Sequence, residues 1–142
     1  MVFNSEHAVS MIQTKKSIFL AGSMDLSKKV SWRKKVTLGV NGYDFFDPTI
    51  NNHDFLSKDE MDSHVNWELD AMSKSTLVLF NFLGGSFSPI SLLELGLNCK
   101  SKKALVVCER GFYKYNYVQT LCVKYNIPFF ETLTDVINNL NK

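Results

Sequence analysis

Five short apolar runs, each separated from the next by a stretch with helical spacing, constrain this chain more than any other feature. Ile18-Phe19-Leu20-Ala21, Tyr43-Asp44-Phe45-Phe46, Thr76-Leu77-Val78-Leu79-Phe80, Ala104-Leu105-Val106-Val107 and Ile127-Pro128-Phe129-Phe130 read as strands. Most lack the apolar–polar alternation of a strand with one wet face, so they belong in a sheet covered on both sides. Between them, residues 27–38, 57–72, 89–99 and 115–125 read as helices, and 132–140 as a closing one. In the second helix Met61, Val65, Leu69 and Met72 recur at i, i+4, i+8 and i+11, an apolar stripe at helical spacing. The alternation predicts a single α/β domain, a flavodoxin- or Rossmann-like three-layer sandwich with a mainly parallel five-stranded sheet. At 142 residues there is room for one such domain, 1–142, with 1–15 as an N-terminal extension.

Composition narrows the function classes. Sixteen basic against fourteen acidic residues leave a net charge of +2. The dense basic patches are confined to Lys28-Lys29, Arg33-Lys34-Lys35 and Lys100 to Lys103. That balance speaks against nucleic acid as the main partner. The apolar runs are far shorter than a membrane span, and residues 1–14 lack an apolar core after a basic start, so a soluble, cytoplasmic protein is expected. Cys99, Cys108 and Cys122 are odd in number and show no Cys-x-x-Cys spacing, which predicts buried free thiols rather than disulfides or a zinc centre.

In sheets of this kind ligands bind beyond the carboxyl ends of the strands. The rule selects Gly22-Ser23-Met24, Asp47-Pro48-Thr49 and the loop from Asn81 to Ser88. There is no G-x-G-x-x-G, no Walker-type Gly-Lys-Ser/Thr and no G-x-S-x-G. The histidines are scattered, and His64 is expected on a helix surface. Carboxylates remain: Glu94, Glu68 and Asp70 near the end of one helix, and Asp47 in its loop. Glu94 stands in Ser88-Pro89-Ile90-Ser91-Leu92-Leu93-Glu94-Leu95-Gly96-Leu97, where Ser88 suits an N-cap and Pro89 the first helical position. Ile90, Leu93 and Leu97 share a face, with Glu94 beside it. A buried, unpaired carboxylate costs several kcal/mol, on the order of what only a function sustains, whereas an edge position would let its head group reach water. Both readings fit the spacing. Carboxylates with divided roles break glycosidic bonds, one attacking the anomeric carbon while another handles the proton.

These pieces, in order, resemble the nucleoside 2-deoxyribosyltransferase superfamily over about residues 16–140. They are Ile18-Phe19-Leu20-Ala21-Gly22-Ser23, Trp32, Phe46-Asp47-Pro48, Trp67-Glu68-Leu69, the strand Leu77 to Phe80, Ser88 to Gly96, and Asn116-Tyr117-Val118. The segment from Ser88 to Gly96 is the most specific of them.

The resemblance implies that Glu94 is the nucleophile, attacking C1′ of the deoxyribose to leave a glycosyl ester, and that Glu68 acts on the departing base, with Asp70 nearby. It puts Asp47 and Thr49 at the base and Asn116 in a neighbouring subunit's site, while the turn at Gly22 and Ser23 is expected to bring backbone N–H groups to the substrate. A homo-oligomer with shared sites follows, dimer-based, tetrameric or hexameric, working on deoxynucleosides and nucleobases without metal or organic cofactor. Three departures stand out. Phe19 replaces an aromatic hydroxyl often found beside the nucleophile, and Ser75-Thr76 replaces a common Ala-Asp pair. Ser88 stands where transferases often carry an acid toward the sugar 5′-hydroxyl and where nucleotide N-glycosidases carry a phosphate-binding serine. The implied activity is base exchange on 2′-deoxyribonucleosides. Hydrolysis of 2′-deoxynucleoside 5′-monophosphates and a non-catalytic nucleotide-binding module are the alternatives.

Overall fold

The computed structural model describes residues 1–24, 30–51 and 53–142. Lys28, Lys29 and the start of the helix expected at 27–38 lie outside the described residues. The strands are β1 (Val2–Phe3), β2 (Ser17–Gly22), β3 (Asp44–Phe46), β4 (Leu77–Phe82), β5 (Ala104–Cys108) and β6 (Phe129–Phe130). The helices are α1 (Trp32–Gly39), α2 (Lys58–Lys74), α3 (Pro89–Asn98), α4 (Tyr115–Tyr125) and α5 (Leu133–Leu140). All pairings are parallel, in the order β1-β3-β2-β4-β5-β6. Without β1 this is the flavodoxin-like order.

The sheet has six strands where five were expected. β1 is only two residues long and has no apolar run to announce it, yet it pairs Val2 with Phe45 and Phe3 with Phe46. Residues 1–15 are therefore packed onto the domain: Phe3 and Ile12 enter the core, and the Trp67 indole N–H donates to the His7 carbonyl at 2.8 Å.

Alternate side chains of the central strands feed two cores. Phe19, Ala21, Val78, Phe80 and Phe82 meet Trp67, Ala71 and Met72 of α2, Leu95 of α3, and Val118 and Cys122 of α4. Ile18, Leu20 and Leu79 meet Trp32 and Val36 of α1 and Val136 of α5. The sandwich thus has three layers, with two helices on one face and three on the other. Ser57 and Glu60 close a capping box on α2, Ser31 caps α1 and Thr132 caps α5, each fixing where its helix begins. Cys108 and Cys122 are buried and Cys99 half-buried, all three as free thiols.

Two helix faces depart from their apolar spacing. In α2 the buried residues are His64, Trp67, Ala71 and Met72, while Val65 and Leu69 are exposed. In α3 the inward face carries Ser91, Glu94, Leu95 and Asn98. Ile90, Leu93 and Leu97 lie 61%, 72% and 68% exposed. The apolar stripe expected to pack against the sheet therefore points away from it. Among the described residues, no helix is long and apolar enough to cross a membrane.

Candidate active site

Strand order reverses at β2 and β4: the chain leaves β2 toward β3 on one side and continues from β4 to β5 on the other. The crevice such a reversal opens lies beyond the carboxyl ends of those two strands. Gly22 ends β2 with φ of +115°, and a Cβ there would stand 2.3 Å from the Asn81 carbonyl oxygen, so only glycine fits. Ser23 follows, its N–H bonded to the same carbonyl at 2.8 Å. Arg33 of α1 is buried beneath this turn and donates to the carbonyls of Leu20, Gly22 and Ser23 at 3.0–3.3 Å. The guanidinium fork reaches three carbonyls at once, and the Trp32 indole N–H also donates to that of Ser23 at 3.0 Å.

The crevice opens into a cavity of about 580 Å³. Gly22, Arg33, His53, His64, Glu68 and Glu94 supply its polar wall, and Met24, Pro48, Ile50, Phe87 and Ile90 its apolar one. Glu94 and Glu68 come from different helices and face the same space. Burial, then the Glu68 charge, push the Glu94 carboxyl up to about 7, against the opposing pull of Arg33. Burial likewise raises Glu68, with His64, His53 and Arg33 pulling the other way. Among the described residues no hydrogen bond engages the Glu94 carboxylate, whereas Asn98 holds its backbone carbonyl at 2.9 Å. A largely buried carboxylate that opens onto a cavity is suited to attack an electrophilic carbon bound there.

At the start of α3 lies a cluster of hydroxyls. Ser23 Oγ accepts from the Leu83 N–H at 2.9 Å and from the Ser86 hydroxyl at 2.8 Å, and meets Ser88 Oγ at 2.7 Å. Ser86 and Ser88 also touch each other. Ser88 does not cap α3 as its position predicts. Its backbone is left-handed (φ 48°, ψ 51°), which turns the hydroxyl away from the helix N–H groups and toward Ser23. Ser91 Oγ accepts from the Gly22 N–H at 3.1 Å, tying α3 to the end of β2.

A family model described as nucleoside 2-deoxyribosyltransferase like matches residues 15–112, a span that holds β2, both carboxylates and the serine cluster. The chain belongs to this family. No curated protein matches it. Membership in the nucleoside 2-deoxyribosyltransferase-like family implies nucleoside and nucleobase substrates.

Within this deoxyribosyltransferase-like domain the predicted residues take different places. Glu94, Glu68, Gly22, Thr49 and Ser88 line the cavity together. Ser23 is fully buried behind it, its hydroxyl inside the serine cluster. Asp47 stands off the cavity wall and accepts from the Thr49 N–H at 3.0 Å and hydroxyl at 2.7 Å, with Arg33 Nε 3.8 Å away. Its carboxylate shapes the loop that carries Thr49. Asp70 is exposed and lies outside the cavity, two residues past Glu68 and so on another face of α2. Asn116 is exposed on α4, also outside the cavity.

Three wall residues escape a reading of the sequence. His64, expected on the surface, is buried with Nε2 2.7 Å from Glu68 Oε1. His53 meets it edge-on, ring centroids 5.9 Å apart. Arg33 looks like part of a basic surface patch. The i, i+4 spacing of His64 from Glu68 is a signal that could have linked His64 to the site. Among the described residues, no three His, Cys, Asp or Glu side chains are grouped to hold a metal ion.

Proposed function

We propose that this protein transfers a 2-deoxyribosyl group between nucleobases through an ester on Glu94. The observation that carries the reading is the meeting of Glu94 and Glu68 in one mostly apolar cavity, each carboxyl held above its ordinary range. A carboxyl raised to about 7 is ionised in a useful fraction of molecules near neutrality and is poorly solvated, both of which favour attack on C1′. As the C1′–O bond to Glu94 forms, the C1′–N bond breaks and its electron pair passes to the base. Glu68 in its protonated form supplies the proton that makes the base a neutral leaving group. The apolar wall of Met24, Pro48, Ile50, Phe87 and Ile90 supports a flat base and a dry ester, which must outlive the exchange of one base for another.

The serine cluster favours a second reading. Ser23, Ser86 and Ser88 gather hydroxyls at the start of α3, where free N–H groups and the helix dipole attract an anion. A 5′-phosphate is an anion of suitable size, and its binding there would make the protein a deoxynucleotide N-glycosidase that resolves the ester with water. Incubation with a deoxynucleoside and a foreign base, then with a deoxynucleoside 5′-monophosphate, separates the readings by product analysis. Base exchange is expected. A preference of about tenfold or more for the monophosphate, about 1.4 kcal/mol, that Ser88→Asp abolishes would install the hydrolase instead. Absence of turnover with either substrate would leave a binding module.

A homo-oligomer belongs to the same proposal. Leu93 and Leu97, with Phe87 and Ile90 at the cavity mouth, form an exposed apolar surface continuous with the site, and Tyr113 packs edge-on against Phe87 at 5.3 Å. A second copy is the occupant that would bring an exposed residue such as Asn116 to a site it does not reach within its own chain.

A further inference from the structure

His64 is a buried imidazole with one close neighbour of opposite chemistry. It is 5% exposed, its ring lies nearly parallel to the Trp67 indole, and its Nε2 stands 2.7 Å from Glu68 Oε1. The approach is close but off the N–H direction, so neither ring nitrogen completes a well-aligned hydrogen bond with the described protein groups. A buried imidazole in that condition carries a desolvation cost that calls for a role. His64 also forms part of two walls. One faces the cavity of Glu68 and Glu94, and the other a polar cleft lined by Glu6, Asp59 and Glu60. Among the described residues, the other charged or titratable groups around the pair are His53 from the turn before α2, Arg33 from α1 and Glu94 from α3.

Resting on the glycosyl-transfer reading above, we infer that His64 is the positioning residue that keeps Glu68 supplied with the proton it gives to the departing base. The pair shares one proton, held as imidazolium and carboxylate or as imidazole and carboxylic acid. As the C1′–N bond breaks, a Glu68 oxygen loses the proton to a base nitrogen, and the pair is left without one. In the second half-reaction the incoming base gives its N–H proton to Glu68 as its nitrogen bonds to C1′, and the pair is whole again. If water resolves the ester, the same carboxylate takes the water's proton.

The sign of the pH effect follows from the extra microstate. Imidazolium beside carboxylate stabilises the singly protonated pair, so the pair holds its last proton to higher pH than Glu68 would alone. In His64→Gln, which keeps a polar side chain but carries no proton, the basic limb of the kcat/KM profile is expected to move down by about half a pH unit or more. Cleavage of a natural deoxynucleoside should slow about tenfold or more, while 4-nitrophenyl 2-deoxyriboside, whose leaving group needs no proton, should react nearly as before. Equal losses on both substrates with an unmoved basic limb would overturn the inference. A wild type inert toward both substrates would overturn the glycosyl-transfer reading itself. In case His64→Gln does not fold, the His64 ring can be followed by NMR in the wild type and in Glu68→Gln. Loss of the carboxylate should change the tautomer of the ring, read from its ring-nitrogen chemical shifts, and unchanged shifts would defeat the coupling.

Discussion

Glu94 is a carboxyl that folding makes harder to ionise, and this has consequences for both rate and stability. Because its pKa rises from 4.5 to about 7, it stabilises the folded chain fully below about pH 4.5, and that contribution is lost as pH rises through 7. Glu94→Gln should therefore melt at higher temperature than the wild type at about pH 8 and show a flatter dependence on pH between about 5 and 8. Thermal scans across that range check it. The same variant should have no turnover, since an amide cannot form the ester, and mass spectrometry of denatured wild type with substrate should find one added deoxyribosyl unit that Glu94→Gln lacks. Gly22 is a second position where one atom decides the outcome. Gly22→Ala forces a Cβ against the Asn81 backbone at a positive φ, so a loss well above 1 kcal/mol, about the scale of such backbone conflicts, should appear as poor soluble yield and a lowered Tm.

Among the elements, α2 depends on a residue far from it in sequence. Lys103 donates from its ammonium to the carbonyls of Met72, Ser73 and Ser75 at 2.5, 3.0 and 3.2 Å, filling the acceptors that the end of the helix leaves open. Lys103→Ala should cost about 1–3 kcal/mol, read as a drop in Tm with the site chemistry intact. The strands β2 to β6 were legible because burial on both faces leaves unbroken apolar runs, as in Thr76 to Phe80. β1 was not, since two residues carry no period. The helices' existence was legible but the rotation of two of them was not. Spacing assigns the apolar stripe inward, yet in α3 the sheet side receives Ser91, Glu94, Leu95 and Asn98. The site divided in the same way. Glu94 stood out as a carboxylate in an apolar run and Glu68 through the family resemblance, whereas the burial of His64 and Arg33 depends on which strand ends and loops come to lie over them. Contacts from β2 and from the 53–55 turn have no local signature.

At the scale of the whole molecule, the exposed stripe of α3 and the exposed Asn116 make assembly testable by two routes. Leu93→Glu should convert the assembly to a smaller species in sedimentation or native mass spectrometry, because a carboxylate replaces apolar area at its centre. Mixing inactive Glu94→Ala with inactive Asn116→Ala should recover part of the activity, as a mixed interface contains one intact site. A monomer at working concentration would end that proposal. The ten residues of α3 carry Glu94 on one side and bare leucines on the other, with no element between them. Dilution then becomes a chemical variable. Rate per subunit should fall as the protein is thinned, and an inert nucleoside held in the crevice should delay that fall, since occupancy and association are linked and each must favour the other equally.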